Sequence, residues 1–375
     1  MKILIIGAGP AGLSFAALAA EADPTREITL IERNAADAHP GFGITLRSDG
    51  ISWLKLHSMN SFQHMEGRSF RYRGNIMVDY PNPPSAHLVT VSRAALLTGL
   101  TELSCRSSVR MRFQVDAGRL SQTDLDQFDM VVAADGANSV LRTRYERAFA
   151  PLVQLSRNRY GWFGANTALR KLTIMLNDAD GVLLAWGYQY SESMSTLIVE
   201  CSEPSMKKLG LEGMSPRETS ETIGKVLASD LCGASVDCGN SVRWTKFPRV
   251  SCARLRYRNI VLIGDAAHTT HFSQGFGTMF AFDDARALCS SLSATRKVPE
   301  ALELYEASQQ PKIAQFQEAS SRSMEWSESL IEAAERRNGD RVRELIDARW
   351  PKNEAPPCPG VATAKEPLGT GITRD

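Results

Sequence analysis

Short apolar runs that lead into glycine or a carboxylate recur along the chain, at residues 2–6, 28–34, 129–136 and 259–268. Apolar runs of this length between turn residues predict buried strands, and strands of a covered parallel sheet show this uninterrupted pattern. The segment between the first two runs predicts a helix through about Glu21, which completes a strand–helix–strand crossover. The pattern therefore predicts an α/β fold built on a parallel sheet.

The pattern changes between residues 147 and 252. Segments 172–178, 181–190 and 194–203 are rich in Tyr, Trp, Thr and Val and predict antiparallel strands. Residues 298–349 show helical spacing with charge pairs four residues apart. The predicted division is a nucleotide-binding domain at 1–146 and 253–297, an inserted sheet domain at 147–252, C-terminal helices at 298–350 and a disordered tail at 351–375.

Composition narrows the class of protein. Of 375 residues, 43% are hydrophobic and 23% charged, and the net charge is +1, so we expect neither nucleic acid nor an anionic membrane as the principal partner. The seven cysteines form no Cys-x-x-Cys pair, so we expect no metal site and favour a reducing cytoplasm. The apolar N-terminus resembles a secretory signal, but glycines interrupt it, and no run reaches the roughly 18 residues of a membrane span.

Three glycines stand between the first predicted strand and helix. Gly7 permits a tight turn, Gly9 lets a pyrophosphate approach the backbone, and Gly12 lets the helix and the strand pack closely. The N–H groups that open the helix then meet the phosphates. Glu32 stands at the end of the second strand, where a carboxylate accepts ribose hydroxyls. The pattern predicts a dinucleotide site and does not distinguish NAD from FAD.

Two more carboxylates follow predicted buried strands. Asp135 precedes Gly136 after one apolar run, and Asp265 follows Gly264 after another. Each pair alone is typical of a turn or a helix cap. Because ligands of open α/β sheets bind at the carboxyl ends of the strands, the three motifs together predict one nucleotide site.

In the order and spacing of these motifs the chain resembles the single-component flavin-dependent aromatic hydroxylases of the para-hydroxybenzoate hydroxylase type, from residue 1 to about 330. HFSQGFGT (271–278), YGWFGA (160–165) and WTKFPRV (244–250) are similar to a narrower branch, with salicylyl-CoA and anthraniloyl-CoA hydroxylases and the tryptophan hydroxylase of violacein biosynthesis. The resemblance implies a Rossmann-like FAD-binding domain with an inserted, mainly antiparallel substrate sheet. It implies bound FAD, with NADH or NADPH as a transient co-substrate and O2 as the oxidant.

The resemblance also assigns roles to cofactor-binding residues. Asp265 is expected at the ribityl and phosphate groups, and the N–H groups of Gly275 and Gly277 at the flavin pyrimidine edge. The expected cofactor contacts are Gly7, Gly9, Pro10, Ala11, Gly12, Glu32, Arg33, Arg47, Arg93, Asp135, Gly264, Asp265, Gly275, Gly277 and Thr278. For Arg47 and Arg93 the alternative is an ordinary surface charge.

Candidate residues for the chemistry lie on the same loop and in the inserted sheet. His271 is the candidate catalytic base, because it stands between Asp265 and Gly275; the alternative is a structural histidine. The candidate substrate contacts are Tyr188, Tyr190 and Phe272, although strand packing also explains the tyrosines.

The expected reaction is hydroxylation of an aromatic ring through a C4a-hydroperoxyflavin. The expected substrate is an aryl-CoA thioester, such as salicylyl-CoA (hydroxylated at position 5) or anthraniloyl-CoA; the alternative is tryptophan or another indole. A flavin-dependent reductase or a non-catalytic flavoprotein is the alternative of another class. A basic entrance for CoA could be formed by Arg157, Arg159, Arg170, Lys171 and Lys246.

Overall fold

The computed structural model describes residues 1–37, 41–47, 51, 53, 62–81, 88–107, 109–239, 243–295 and 297–350, so the predicted tail at 351–375 lies outside the described residues. The strands are β1 (Lys2–Ile6), β2 (Glu27–Ile31), β3 (Gly43–Arg47), β4 (Gln63–His64), β5 (Gly67–Tyr72), β6 (Asn75–Pro81), β7 (Leu88–Ser92), β8 (Arg110–Arg112), β9 (Met130–Ala133), β10 (Pro151–Ala165), β11 (Lys171–Asn177), β12 (Leu183–Gln189), β13 (Ser195–Cys201), β14 (Val236–Asp237), β15 (Thr245–Cys252), β16 (Arg256–Tyr257) and β17 (Ile260–Leu262). The helices are α1 (Pro10–Ala22), α2 (Arg93–Arg106), α3 (Gln122–Leu125), α4 (Val140–Arg144), α5 (Glu146–Phe149), α6 (Glu203–Lys208), α7 (Pro216–Val226), α8 (Gly277–Ala294), α9 (Val298–Glu335) and α10 (Gly339–Arg349).

A six-stranded sheet carries the predicted crossover, with the strand order β16-β17-β9-β1-β2-β8. β1 pairs in parallel with β2 and β9, and β9 with β17, so these four strands end at the same edge. Apolar side chains of these strands, such as Ile3, Val131 and Val261, are fully buried, as the apolar runs predict. The strand order reverses at β1, between β2 and β9, and the crevice at such a switch point binds ligands.

An eight-stranded sheet follows the order β14-β10-β13-β12-β11-β5-β6, with β15 also paired to β10. The pairs among β10, β11, β12 and β13 are antiparallel, as their sequence pattern predicts. The hairpin of β5 and β6 joins this large sheet through a parallel pairing of β5 with β11. Residues 67–81 therefore belong to the large sheet, although the prediction placed them in the domain at 1–146. A pairing between strands so distant in sequence leaves no signal in the local pattern.

The large sheet lies between two apolar layers. On one side Trp186 packs with side chains of α9 and α10. On the other side Phe163 packs with side chains of α6 and α7. Because successive residues of a strand point to opposite faces, a central strand such as β13 is buried along its whole length.

The C-terminal region is helical, as predicted, and it consists of two helices. α9 is 38 residues long and contains Pro311, and Asn338 caps α10 by accepting the N–H of Arg341. Within the described ranges, no helix combines the length and the apolar character that crossing a membrane requires. A small sheet of order β3-β7-β4 completes the fold beside the larger ones.

Candidate active site

The turn between β1 and α1 has the geometry that its glycines predict. Gly7 has φ +107°, and a Cβ at this residue would lie 2.3 Å from the Ala134 carbonyl oxygen. A Cβ at Gly12 would lie 2.0 Å from the Gly7 oxygen, so helix and turn approach each other only without a side chain. At Gly9 no atom of the described residues beyond its chain neighbours lies within 4 Å of the corresponding position. This open space adjoins the N-terminus of α1, where phosphate groups bind.

A cavity of about 210 Å³ extends from this turn along the ends of β2 and β9, and it is lined by Glu32, Arg33 and Asp135. The Glu32 carboxylate accepts the N–H of Ala8 at 2.9 Å, so the predicted ribose acceptor also holds the glycine turn. Asp135 accepts the N–H of Val140 at 2.7 Å through Oδ2. Its Oδ1 is buried without a hydrogen-bond partner among the described residues. Burial raises the pKa of Asp135.

A second cavity of about 370 Å³ begins at the same turn and extends towards the large sheet. The two cavities adjoin, because they share the lining residues Gly9, Arg93, Ala134 and Gly136. The predicted cofactor contacts that line the larger cavity also include Pro10, Ala11, Asp265, Gly275, Gly277 and Thr278. The three strand-terminal motifs therefore meet at one groove.

A buried carboxylate holds the turn that follows β17. Gly264 has φ +59°, and its N–H donates to Asp284 Oδ2 at 2.7 Å. The same oxygen lies 2.8 Å from His268 Nε2. Burial lowers the pKa of His268, but the Asp284 carboxylate and the charge of Asp265 together outweigh this effect, and the pKa is raised overall. Sequence reasoning missed Asp284, although a lone acid on the apolar face of a helix is a signal.

Asp265 and Arg93 are the charged residues among the described lining of the larger cavity. Asp265 is an exposed residue, and it lines the larger cavity. The surrounding protein raises its pKa, and the charges of His268 and Arg93 oppose the rise. Burial lowers the pKa of Arg93, opposed by Asp265 and Glu32. Arg93 opens α2, which Ser92 caps as predicted, and it stands within electrostatic reach of both carboxylates.

The loop before α8 presents its backbone to the larger cavity. Gly275 has φ +68°, and a Cβ there would lie 3.1 Å from Thr45 Oγ1. α8 begins at Gly277, and its N-cap residue Phe276 provides no side-chain cap. The first N–H groups of α8 lack partners within the helix, so a ligand at this end of the cavity can accept them. This arrangement is the one expected for the flavin pyrimidine edge.

Uncharged side chains form the wall between the larger cavity and the large sheet. These residues are Tyr160, Trp162, Tyr188, Ile198, Phe247 and Phe272. The ring of Tyr160 packs on Phe272 and Phe247, with centroids 5.1 Å and 5.9 Å away. Within the described ranges its hydroxyl has no hydrogen-bond partner, and burial, followed by the Asp265 charge, raises its pKa. Only Tyr188 and Phe272 were predicted here, although the motif segments contain Tyr160, Trp162 and Phe247.

The two predicted tyrosines contact β3. The hydroxyl of Tyr188 donates to the Gly43 carbonyl oxygen at 3.0 Å, and burial raises its pKa to about 12. A Cβ at Gly43 would lie 2.2 Å from the Cβ of Tyr190, which is not among the described residues lining the cavity. Tyr190 follows the last residue of β12 and covers Gly43, so its predicted substrate contact is not supported.

His271 lies behind the cavity wall. Its ring centroid is 4.0 Å from that of Phe272 and 5.1 Å from that of Phe247, and its Nδ1 is 2.7 Å from Ser273 Oγ. Burial lowers the pKa of His271 to about 3, so the imidazole is neutral near pH 7. Among the described residues Phe272, and not His271, lines the cavity. The prediction of a catalytic base is therefore corrected to the structural alternative.

Arg47 and the predicted basic entrance also differ from expectation. Arg47 ends β3 opposite Leu88 and is not among the described residues that line either cavity. The basic residues of the predicted entrance form ion pairs: Arg157 with Glu328 and Glu332, Arg159 and Lys246 with Glu203, Arg170 with Glu66, and Lys171 with Asp79. Carboxylates thus offset these charges, which a sequence pattern cannot reveal.

The groove fits a flavin dinucleotide. The space beside Gly9 at the N-terminus of α1 admits a pyrophosphate. The buried Oδ1 of Asp135 has no hydrogen-bond partner among the described residues, so a bound group can donate to it. Glu32 lines the smaller cavity beyond the turn, where the ribose is predicted to bind, and Asp265 lines the larger cavity. The cofactor contacts of the individual residues stay a prediction.

Comparison with known proteins places these features in a family. Residues 121–320 match the family described as FAD binding domain. The chain is 35% identical over 341 residues to salicyloyl-CoA 5-hydroxylase of a Streptomyces species, covering 88% of this chain, and it spans 65% of that enzyme's length. It is 30% identical over 370 residues to protodeoxyviolaceinate monooxygenase of Chromobacterium violaceum, covering 96% of each.

A third relative is named for a substrate that is attached to a carrier protein. The chain is 32% identical over 333 residues to 3-hydroxy-4-methyl-anthranilyl-(aryl-carrier protein) 5-monooxygenase of Streptosporangium sibiricum, covering 87% of this chain and 89% of that enzyme. Among solved structures, PqsL, a probable FAD-dependent monooxygenase from Pseudomonas aeruginosa, superposes with a TM-score of 0.69 at 17% identity, covering 92% of this chain and 99% of that one. At this identity the likeness shows the fold alone, and it confirms the predicted fold class.

Proposed function

We propose a substrate class for this chain from the premise that it belongs to the FAD-dependent aromatic hydroxylases. Bound FAD supplies the redox chemistry for NADH or NADPH oxidation and O2 activation. The proposed substrate is an aromatic acid presented as a thioester, such as salicylyl-CoA, anthraniloyl-CoA or the same acyl group on a carrier protein. The proposed reaction adds one hydroxyl group to its ring.

The described residues of the larger cavity bind and orient the substrate in this proposal. The rings of Phe247 and Phe272 exclude water and confine the aromatic ring beside the cofactor. Tyr160 stays protonated and donates its O–H to an oxygen of the substrate. Tyr188 holds Gly43 and transfers no proton, because its pKa is about 12.

The observation that carries the proposal is the uncharged wall of the larger cavity. Among its described lining residues the single cation is Arg93, which also lines the smaller cavity and so lies at the cofactor end. A free carboxylate against the wall of Tyr160 and Phe272 would meet no cationic partner there, and burying an unpaired charge costs several kcal/mol. A thioester carbonyl carries no charge and needs only a hydrogen-bond donor.

The names of two relatives support a thioester, since one acts on salicyloyl-CoA and another on an anthranilyl group held by a carrier protein. An indole-type substrate is the second candidate. The relative named protodeoxyviolaceinate monooxygenase covers 96% of this chain, and an uncharged aromatic wall suits a neutral heterocycle as well.

The test is NADH and NADPH oxidation with product identification by mass spectrometry, using the FAD-loaded protein. The panel contains salicylate and anthranilate, their CoA and carrier-protein thioesters, tryptophan, and indole. A cyclohexanecarboxylic thioester serves as the control for binding of CoA without an aromatic ring. We expect an aryl thioester to exceed its free acid at least about tenfold in turnover, which corresponds to ~1.4 kcal/mol of discrimination.

The outcomes separate the candidates. Equal turnover of free acids and thioesters would contradict the proposed substrate class. Turnover of indoles alone would select the second candidate. Acceleration by no aromatic compound, with FAD bound, would favour a reductase.

A further inference from the structure

The last residue of α10 occupies an aromatic cage far along the chain from the cofactor motifs. The Cζ of Arg349 lies 4.2 Å from the ring centroid of Trp326 and 5.5 Å from those of Trp186 and Trp350. The guanidinium is thus held between the large sheet, α9 and the end of α10. Three rings on different elements restrict the orientation of the guanidinium more than a single contact would.

A chain of hydrogen bonds leads from Arg349 to the cavity loop. Its Nη2 donates to Ser323 Oγ at 3.0 Å, and Ser323 Oγ lies 2.7 Å from Ser273 Oγ. Ser273 Oγ lies 2.7 Å from His271 Nδ1. Arg349 donates to Ser323, so the Ser323 O–H needs an acceptor. Each hydroxyl finds one when Ser323 donates to Ser273 and Ser273 donates to the imidazole, and this is the direction that we assign. His271 then accepts at Nδ1 and carries its proton on Nε2.

The end of this chain lies directly behind the cavity wall. Ser273 and His271 flank Phe272, and the imidazole packs on the Phe272 ring at 4.0 Å between centroids. The N–H of His271 also donates to Ser320 Oγ at 2.6 Å, so α9 holds both the backbone and the side chain of this residue. All of the serines and His271 are buried, so no water replaces these bonds at low cost.

We infer that Arg349 is a positioning residue for the loop of Phe272 and Gly275, acting through Ser323, Ser273 and His271. In this arrangement the position of α10 against α9 determines the position of the cavity wall that confines the aromatic substrate. The catalytic consequence rests on the proposed function, whereas the structural link does not.

The first test is hydrogen–deuterium exchange of the backbone in residues 270–277 of the FAD-bound protein. Arg349→Met removes the donors and keeps an apolar chain of similar length, and Ser323→Ala cuts the chain without touching the tryptophans. We expect exchange in 270–277 to be about fivefold faster in both, the factor that loss of one ordinary hydrogen bond produces. Arg349→Lys, which keeps a donor and the charge, should restore part of the protection.

Matched controls lie on the same two helices. Arg341 pairs with Glu344 at the surface of α10, and Ser308 bonds to the Tyr305 carbonyl within α9. Arg341→Met and Ser308→Ala should leave exchange in 270–277 unchanged. The double variant of Arg349→Met with Ser323→Ala should be no faster than either single one, since the same chain is cut twice.

The second test is the fraction of oxidised NADH or NADPH that appears as hydrogen peroxide instead of hydroxylated product. We expect this fraction to rise and KM to increase in Ser323→Ala, with FAD affinity within about twofold of wild type. Unchanged exchange in Ser323→Ala would overturn the inference, even if Arg349→Met unfolds. Faster exchange in a protein that hydroxylates nothing would retain the positioning role and reject the proposed function.

Discussion

Gly7 and Gly9 stand two residues apart, but their surroundings differ. Substitution of Gly7 is therefore expected to affect folding, and substitution of Gly9 to affect cofactor binding. Gly7→Ala would set a Cβ 2.3 Å from the Ala134 oxygen at φ +107°, so we expect a loss of about 2 kcal/mol or more in unfolding free energy. The methyl group added by Gly9→Ala meets no atom within 4 Å in the part of the chain that the structure describes, apart from its chain neighbours, so stability should be retained. This methyl group takes the space beside the phosphates, and FAD should bind at least about tenfold more weakly.

Thermal unfolding of the FAD-free protein and titration with FAD measure these two effects separately. If Gly9→Ala lowers the unfolding temperature as far as Gly7→Ala does, the difference in surroundings has no consequence and the prediction is wrong.

His271 lies behind the cavity wall, and we expect it to take no part in proton transfer. Burial lowers its pKa to about 3, so it does not titrate in the usual assay range. We expect His271→Gln to lower hydroxylation less than about tenfold and to leave the shape of the pH–rate profile unchanged, whereas loss of a general base costs about 10²–10⁴. Steady-state rates measured across pH for both proteins check this. A loss of a thousandfold, or a vanished limb of the profile, would restore the catalytic base.

At the scale of elements, α8 and β17 are joined by one carboxylate. Asp284 is fully buried and accepts the N–H of Gly264, whereas its neighbour Asp283 pairs with Arg286 at the surface. Asp284→Ala leaves the Gly264 N–H and His268 without a partner, so we expect ~3 kcal/mol of destabilisation and weaker FAD binding. Asp283→Ala is the matched control and should change stability by less than about 0.5 kcal/mol.

Urea unfolding of the two variants, with and without FAD, measures their effects on the free energy of unfolding and on FAD binding. Equal effects of the two alanine substitutions would show that the turn at Gly264 does not depend on α8.

At the scale of the molecule, one buried acid makes stability depend on pH. Glu200 faces the C-terminal helices, and burial raises its pKa to about 7, although Trp186 Nε1 donates to it at 2.9 Å. Between the ordinary pKa of 4.5 and about 7, the unfolded chain releases this proton before the folded protein does. The contribution of Glu200 to stability is therefore full below pH 4.5, falls as the pH rises and is constant above about 7.

In Glu200→Gln the side chain at this position no longer binds or releases a proton. Relative to wild type, the unfolding free energy of this variant should rise by on the order of 2–3 kcal/mol between about pH 4.5 and pH 8. Denaturant unfolding at several pH values measures the difference. Glu203→Gln is the control, because Glu203 is exposed and Lys246 lowers its pKa, so no such rise is expected. A parallel pH dependence for wild type and Glu200→Gln would contradict the prediction.

The sequence determined those features that need only neighbouring residues. Gly7, Gly9 and Gly12 define their turn by backbone conformation and close approach, and apolar runs define the buried strands that precede Asp135 and Asp265. Because parallel strands place their carboxyl ends at one edge, such local signals also predicted that the motifs meet at a single groove. Membership of a flavin hydroxylase family followed from the same motifs.

Tertiary structure alone decided which side chains meet across long separations. The pairing of β5 with β11 moved residues 67–81 into the large sheet, and the packing of Phe272 placed His271 behind the wall rather than in the cavity. The partners of the basic residues at the predicted entrance come from distant segments in the same way. A side chain's environment depends on packing between elements, and packing is not encoded in the spacing of residues along one element, so burial, charge pairing and pKa at these positions appear only in the folded protein.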